Sequence, residues 1–117
     1  MKYSNVVVAG GGVLGSQIAF QAAYCGFNVT IWLRSEGSIG RTQPKIDHLK
    51  QTYIEAIEKM AEDKNVWCAG LADEDTFDKE ECLKKVENAY TNLKLELDMA
   101  KAVADADLVI ESMACLL

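Results

Sequence analysis

The first third of the chain combines two hydrophobic patterns. Residues 5–9 form a short continuous apolar run rich in valine, which is typical of a strand buried on both faces. From residue 13 to residue 25, apolar and small residues fall on most sides of a predicted helix, which ends at Gly26 as a C-cap. Residues 29–33 form a second apolar run. This order predicts two parallel strands joined by a right-handed helical crossover.

The middle of the chain is predicted to be helical. Gly37, Gly40 and Pro44 lie close together, so we expect loose or kinked turns before regular helix begins at Pro44. Residues 65–75 are expected to form a connection. Beyond Pro44, apolar residues recur at the spacing of an amphipathic helix, and these residues are Ile46, Leu49, Tyr53, Ile57 and Met60.

The remaining residues predict a helix, a strand, a short helix and a last strand. Asp78 with Glu81 resembles the capping box that starts a helix. Leucine alternates with charged residues over 93–97, the period of a strand with one wet face. Asp98 is expected to cap a short helix, and residues 107–112 contain the last strand. The complete order predicts an α/β fold, with a Rossmann-like parallel sheet of about four strands and a long helical excursion between the second and third strands.

The turn after the first strand contains three glycines at a diagnostic spacing. Gly10, Gly12 and Gly15 fit G-x-G-x-x-G, the dinucleotide-binding fingerprint, between a β-branched run and an apolar helix. Gly10 permits a positive φ, Gly12 leaves room for a pyrophosphate against the backbone, and Gly15 lets the helix lie close to the sheet. Val13 and Leu14 begin the helix, whose unpaired N–H groups and dipole attract phosphate. A bare turn without a ligand explains one glycine better than three.

Composition and charge narrow the function classes. The 117 residues suffice for one domain with a core. The formal net charge of −6 argues against general affinity for nucleic acid or an anionic membrane. The four cysteines form no C-x-x-C pair and are accompanied by a single histidine, so we expect free thiols and no metal site. Without a signal-like start or a membrane-length apolar run, the protein is expected to be cytoplasmic.

Three stretches resemble the N-terminal NAD-binding domain of 3-hydroxyacyl-CoA dehydrogenases, with the 3-hydroxybutyryl-CoA type most similar. They are residues 6–19 around the glycine turn, residues 26–35, and residues 105–111. The resemblance extends through about Ser112 and implies hydride transfer between a nicotinamide dinucleotide and the 3-hydroxy or 3-keto group of an acyl-CoA. It also places Glu111 near the nicotinamide end of the cofactor. An acidic strand end facing water is the alternative interpretation of Glu111.

The residue at the end of the second strand departs from this family. The family usually has an aspartate that accepts hydrogen bonds from the adenosine ribose of NAD, whereas this chain has Leu33. Losing such a bond, about 1.5–3 kcal/mol, weakens NAD binding roughly ten- to a hundredfold. Arg34 and Ser35 follow, and together they suit a 2′-phosphate through a guanidinium fork and a hydroxyl. The hypothesis is that NADP binds at least as well as NAD; a solvated arginine without phosphate specificity is the alternative.

The catalytic residues of the family form a second departure. In the family, the catalytic histidine, its partner glutamate, and the nearby serine and asparagine lie beyond the position of the last predicted strand. His48 precedes the third strand, so it is interpreted as a helix-surface residue. No catalytic residue is therefore assigned in this chain. We therefore expect residues 1–117 to be an incomplete Rossmann-type dinucleotide-binding domain without the helical substrate domain, and inactive alone. The ending after Ser112 resembles truncation or a frameshift. Acyl-CoA is expected as a partner only of an intact parent.

The last predicted strand is also expected to leave an apolar edge. Exposed edges of this kind pair with other chains, so a homo-oligomer is predicted, with Cys115 near the edge as a source of an adventitious disulfide.

The alternative function is a noncatalytic module that binds a nucleotide or a partner through the same strand–helix–strand unit.

Overall fold

The computed structural model describes residues 4–63, 71 and 77–112, in which a four-stranded parallel sheet forms the centre of the fold. The sheet has the order β3-β2-β1-β4. A long helix separates β2 from β3, which confirms the predicted Rossmann-like α/β fold. The elements in chain order are β1 (Asn5–Ala9), α1 (Val13–Tyr24), β2 (Asn28–Trp32), α2 (Glu36–Glu62), α3 (Lys79–Asn92), β3 (Lys94–Glu96), α4 (Met99–Val103) and β4 (Leu108–Glu111).

The strand order reverses at β1. This strand pairs in parallel with β2 on one side, where Val8 lies opposite Ile31, and with β4 on the other, where Val8 lies opposite Ile110. In an open α/β sheet, ligands bind in the crevice beyond the carboxyl ends of the strands at such a reversal. The sheet therefore directs attention to the turn that follows Ala9.

The core lies on the sheet face covered by α1, and it continues where α2 and α3 pack against α1 and against each other. Phe20, Ile31, Ile57 and Val86 come from four different elements and are each 0% exposed. The ring of Phe20 meets that of Tyr53 edge to face, with centroids 4.7 Å apart. Because α1 touches β1, β2, α2 and α3, its buried residues need not follow a single stripe.

The start of α2 was wrongly predicted. The helix begins at Glu36, one residue after Ser35, and continues through Pro44 instead of starting there. A proline inside a helix removes one backbone hydrogen bond and is disfavoured by about 3 kcal/mol relative to alanine. Buried Thr42 and Ile46 lie on either side of Pro44, so tertiary contacts favour helix where local propensity does not.

Both predicted aspartate caps are present. The carboxylate of Asp78 accepts a hydrogen bond from the backbone N–H of Glu81, and Asp98 accepts from the N–H groups of Ala100 and Lys101. These bonds satisfy N–H groups that the helix itself leaves unpaired. Of the predicted connection over 65–75, only Leu71 is among the described residues.

Candidate functional site

A cleft of about 430 Å³ opens at the carboxyl ends of β1 and β2. Its walls are residues 10–12 of the glycine turn, residues 32–34 after β2, side chains of the first half of α2, and Ser112. The cleft thus lies where the strand order predicts a ligand, and it brings together residues that are up to 102 positions apart.

The fingerprint glycines have different reasons to be glycine. Gly10 has a φ of 115°, which residues with a side chain rarely adopt. A Cβ on Gly15 would lie 2.3 Å from the carbonyl oxygen of Gly10, so this close approach of α1 to the turn excludes any side chain. A Cβ on Gly12 would have no heavy atom within 4 Å. The fold therefore requires Gly10 and Gly15, whereas Gly12 borders open space.

Gly11 is a site residue that the motif did not single out. A Cβ there would lie 2.2 Å from Oγ1 of Thr42 and 2.6 Å from Cδ2 of Leu33. The motif treats this position as variable, and the uninterrupted run of glycine from Gly10 to Gly12 was the only local signal. The need for glycine arises because α2 packs directly on the turn.

Three donors converge on the carbonyl oxygen of Gly11. The hydroxyl of Ser16 donates at 3.2 Å, the hydroxyl of Thr42 at 3.1 Å, and Nζ of Lys45 at 3.4 Å. Ser16 and Thr42 are 1% and 2% exposed, so these bonds lie where water does not compete freely. They fix the turn to both α1 and α2.

The N-terminus of α1 is available to an anion. Gly12 is its N-cap, with no side-chain cap hydrogen bond, and the first turn contains no acidic residue. Val13 and Leu14 follow, with their side chains 65% and 63% exposed. Unpaired N–H groups at a helix N-terminus, together with the positive end of its dipole, bind phosphate.

The end of β2 places its three predicted site residues differently. Leu33 is 3% exposed and packs in the core while it also borders the cleft. Arg34 is exposed and lines the cleft. Ser35 is exposed beside the cleft without lining it, and its hydroxyl lies 3.2 Å from that of Ser38.

Positive charge enters the cleft from α2 as well. Arg41 and Lys45 line it together with Arg34, and within residues 4–63, 71 and 77–112 no aspartate or glutamate forms its walls. No sequence motif marks Arg41 or Lys45, because their position depends on where α2 begins. A chain with a net charge of −6 thus has a cationic cleft.

Glu111 and Ser112 follow one another at the end of β4. Glu111 lies opposite Ala9 and is exposed, outside the walls of the cleft. Ser112 lines the cleft; its hydroxyl donates toward the carbonyl oxygens of Ala9 at 3.2 Å and Gly10 at 3.3 Å. Sequence reasoning selected Glu111 and missed Ser112, which joins β4 to the glycine turn.

His48 lies apart from this arrangement. It is exposed on α2 and borders a separate groove of about 280 Å³ with Val13, Pro44 and Leu49. Within the described ranges, no group of histidine, cysteine, aspartate and glutamate side chains is placed to hold a metal ion. The helices in those ranges also lack the combination of length and apolar character that a membrane span requires.

Comparisons with known proteins agree with the geometry. The family model described as 3-hydroxyacyl-CoA dehydrogenase, NAD binding domain, matches residues 5–114. A search of curated proteins gives no significant match.

Similar solved structures include a diketoreductase that acts on dicarbonyl compounds, with 33% identity and a TM-score of 0.71 over 97% of this chain. The 3-hydroxybutyryl-CoA dehydrogenase of Escherichia coli K12 has 24% identity and a TM-score of 0.63 over 97% of this chain. The (S)-3-hydroxybutyryl-CoA dehydrogenase PaaH1 of Ralstonia eutropha has 16% identity and a TM-score of 0.63 over 98% of this chain. The chain spans 32%, 19% and 32% of these three proteins, respectively.

Proposed function

We propose a function for the cleft from the following premise: this chain belongs to the 3-hydroxyacyl-CoA dehydrogenase NAD-binding domain family. The cleft binds a nicotinamide dinucleotide, with the pyrophosphate against Gly12 and the N-terminus of α1. The observation that supports this placement is the open space at Gly12, in contrast to Gly11 and Gly15, where a Cβ would clash with neighbouring atoms. Backbone N–H groups of Val13 and Leu14 stabilise the phosphate charge, and Lys45 adds a cation at the same turn.

The residues of the cleft position and neutralise the cofactor. Ser16 and Thr42 hold the Gly11 carbonyl, so the backbone is already arranged before the ligand arrives and little ordering is required on binding. Bound nicotinamide supplies hydride chemistry. Glu111 lies at the strand end next to β1, where it is proposed to contact the nicotinamide end of the cofactor.

Isothermal titration of the protein with NAD, NADP and their reduced forms tests this proposal. Saturable binding is expected, with Gly12→Val weakening it at least about tenfold, because side-chain atoms would occupy the phosphate space. Lys94→Gln, on β3 and away from the cleft, is the matched control and leaves binding unchanged. Absence of binding to all four nucleotides would refute the assignment.

NADP binds at least as well as NAD in this proposal. Leu33 offers no carboxylate to the ribose 2′-hydroxyl, and Arg34 supplies a cation to a 2′-phosphate, with the Ser35 hydroxyl nearby. The dissociation constant for NADP is expected to be no higher than that for NAD. A preference for NAD of about tenfold, equal to 1.4 kcal/mol, contradicts the proposal.

The reaction served is hydride transfer between this cofactor and a 3-hydroxy- or 3-ketoacyl-CoA in fatty acid metabolism. The family model that matches residues 5–114 is that of 3-hydroxyacyl-CoA dehydrogenases, which supports this substrate class. Among the residues that the structure describes, the cleft walls contain no histidine, aspartate or glutamate to act as a general acid or base. The 117 residues alone are therefore expected to bind nucleotide without oxidising 3-hydroxybutyryl-CoA, as measured by absorbance of the reduced nicotinamide; turnover would contradict this.

A noncatalytic interaction role is the second candidate, and one observation favours it. Leu108 and Val109 of β4 are 42% and 50% exposed at an edge of the sheet. An apolar strand edge pairs with another chain, so we propose that the protein forms a homo-oligomer through β4.

The cytoplasmic location of the protein stays a prediction. Cys115, the predicted source of an adventitious disulfide, lies outside the described residues.

A further inference from the structure

We infer that Arg41 is the residue that determines selectivity for a 2′-phosphorylated nucleotide, with Arg34, which lines the same cleft, as its partner. This inference rests on the proposed nucleotide function and goes beyond it, because Arg41 belongs to α2 rather than to the residues directly after β2. The phosphate it recognises is the one on the 2′-oxygen of the adenosine ribose. Arg34 and Arg41 both line the cleft, and both are exposed and free to meet a ligand from solvent.

The side chain of Arg41 points back along α2 toward the end of β2. Its Nη2 donates to the hydroxyl of Ser38 at 3.0 Å, and that hydroxyl lies 3.2 Å from the hydroxyl of Ser35. A Cβ on Gly37, the second residue of α2, would lie 3.4 Å from Nη1 of Arg41. The guanidinium of Arg41 therefore lies close to a residue that has no side chain. Helical side chains lean toward the N-terminus, which explains this direction.

This position matches the ribose end of the cofactor. In the dinucleotide-binding fold, the residue at the end of the second strand reads the 2′-hydroxyl, and an arginine nearby accommodates a 2′-phosphate. Leu33 occupies that strand end here and has its side chain in the core. Arg34 and Ser35 follow Leu33 directly, and the first half of α2 adds the guanidinium of Arg41, which is already hydrogen-bonded to the hydroxyl of Ser38.

The local charges favour a second phosphate. A phosphate monoester carries about −1.5 to −2 charges at neutral pH. The described part of the cleft walls contains Arg34, Arg41 and Lys45 and no carboxylate, so NADP meets more compensating charge there than the pyrophosphate of NAD requires. Glu36 lies in the first turn of α2, exposed and outside the cleft walls, and it opposes this attraction. Removal of its charge is expected to tighten NADP binding.

Calorimetric titrations of the whole chain with NADP, NAD, 2′,5′-ADP and 3′,5′-ADP test the inference. Arg41→Gln is expected to weaken binding of NADP and 2′,5′-ADP about tenfold or more while it changes NAD affinity less than about threefold, because a charge-assisted bond is lost only with the 2′-phosphate. Lys101→Gln removes the same charge from α4 and is the matched control, with no effect expected. Glu36→Gln is expected to tighten NADP binding about two- to threefold without changing NAD binding.

Each alternative result has a distinct meaning. Equal weakening of NAD and NADP by Arg41→Gln overturns the inference and assigns Arg41 to the pyrophosphate. Binding of 3′,5′-ADP as tight as that of 2′,5′-ADP also overturns it, because the cleft then recognises any ribose phosphate, including that of coenzyme A. Binding of NAD without binding of NADP refutes the proposed selectivity for a 2′-phosphate but leaves the proposed nucleotide function in place. Failure of the unmodified chain to bind any of the four probes refutes the nucleotide function itself. The temperature of thermal unfolding of Arg41→Gln should equal that of the unmodified chain. Weaker NADP binding then reflects a lost contact to the nucleotide and not a loss of folding.

Discussion

The two faces of the sheet differ in how completely they are covered. On the face of α1, α2 and α3, residues such as Phe20 and Ile57 are fully buried. The other face has the short helix α4 and a groove of about 620 Å³ whose walls include Asn5, Thr30 and Lys101. Parallel sheets usually have both faces covered by helices. The stability of the described fold therefore comes mainly from the first face, and two of its helices, α1 and α2, also hold the glycine turn.

Removing methyl groups from each face is expected to give the largest contrast. Val8→Ala in β1 deletes two buried methylene equivalents of about 0.8 kcal/mol each and leaves a cavity, so the free energy of unfolding should fall by about 2–3 kcal/mol. Val109→Ala in β4 makes the same change at a residue that is 50% exposed, and a loss below about 1 kcal/mol is expected. Urea denaturation measures both. Equal losses would mean that the second face stabilises the fold as much as the first.

Gly15 and Gly12 differ in whether glycine is needed for folding or for nucleotide binding. Gly15→Ala places a Cβ 2.3 Å from a backbone oxygen, and we expect destabilisation of about 1–3 kcal/mol from overpacking. Gly12→Ala meets no atom within 4 Å, but alanine is a poorer N-cap than glycine, so the free energy of unfolding should fall by less than about 1 kcal/mol. Its effect should appear in nucleotide affinity instead. The prediction fails if Gly12→Ala unfolds at lower denaturant than Gly15→Ala.

The two edges of the sheet provide the next test. β3 presents the charged residues Lys94 and Glu96 at its edge, whereas β4 presents apolar Leu108 and Val109. Charge on an edge strand prevents pairing, so Val109→Lys should raise the dissociation constant of a homo-oligomer about tenfold in sedimentation velocity. Thr91→Lys, exposed on α3, adds the same charge elsewhere and should have no effect. A protein that is monomeric at every concentration would exclude association through β4.

The smallest expected effect concerns pH at the start of β4. Oδ2 of Asp107 accepts hydrogen bonds from the N–H of Asn5 at 2.8 Å and of Ser4 at 2.9 Å, and these bonds hold the pKa of Asp107 below its ordinary value. Because the folded pKa is lowered, this stabilisation is present above the unfolded pKa of about 3.9 and is lost as pH falls through the folded value.

Thermal unfolding between about pH 3 and pH 7 measures this dependence. Asp107→Asn should reduce the loss of stability at the acidic end, whereas Asp105→Asn, exposed two residues earlier, serves as the control. An identical acid profile for Asp107→Asn and the unmodified protein would show that the bonds to Ser4 and Asn5 do not contribute.

Local patterns were sufficient where one interaction dominates a short segment. The valine run of β1, the periodic apolar residues of α2 and the capping aspartates Asp78 and Asp98 all appear where the sequence predicts them. Gly10 could be assigned because a positive φ is a property of the residue itself. Family resemblance then supplied the functional class, which the match over residues 5–114 supports.

Only the tertiary structure decided how α2 contributes to the cleft. The sequence predicted α2 from Pro44, but contacts of Thr42 and Ile46 extend the helix back to Glu36 and bring Arg41 and Lys45 to the turn. Gly11 must be glycine for the same reason, because Thr42 packs directly against it although the two residues are 31 positions apart in the chain. The sequence by itself determined a dinucleotide turn and a parallel sheet, because these depend on local conformation and period. Packing of a distant helix decided which side chains surround the turn, because no local pattern encodes that contact.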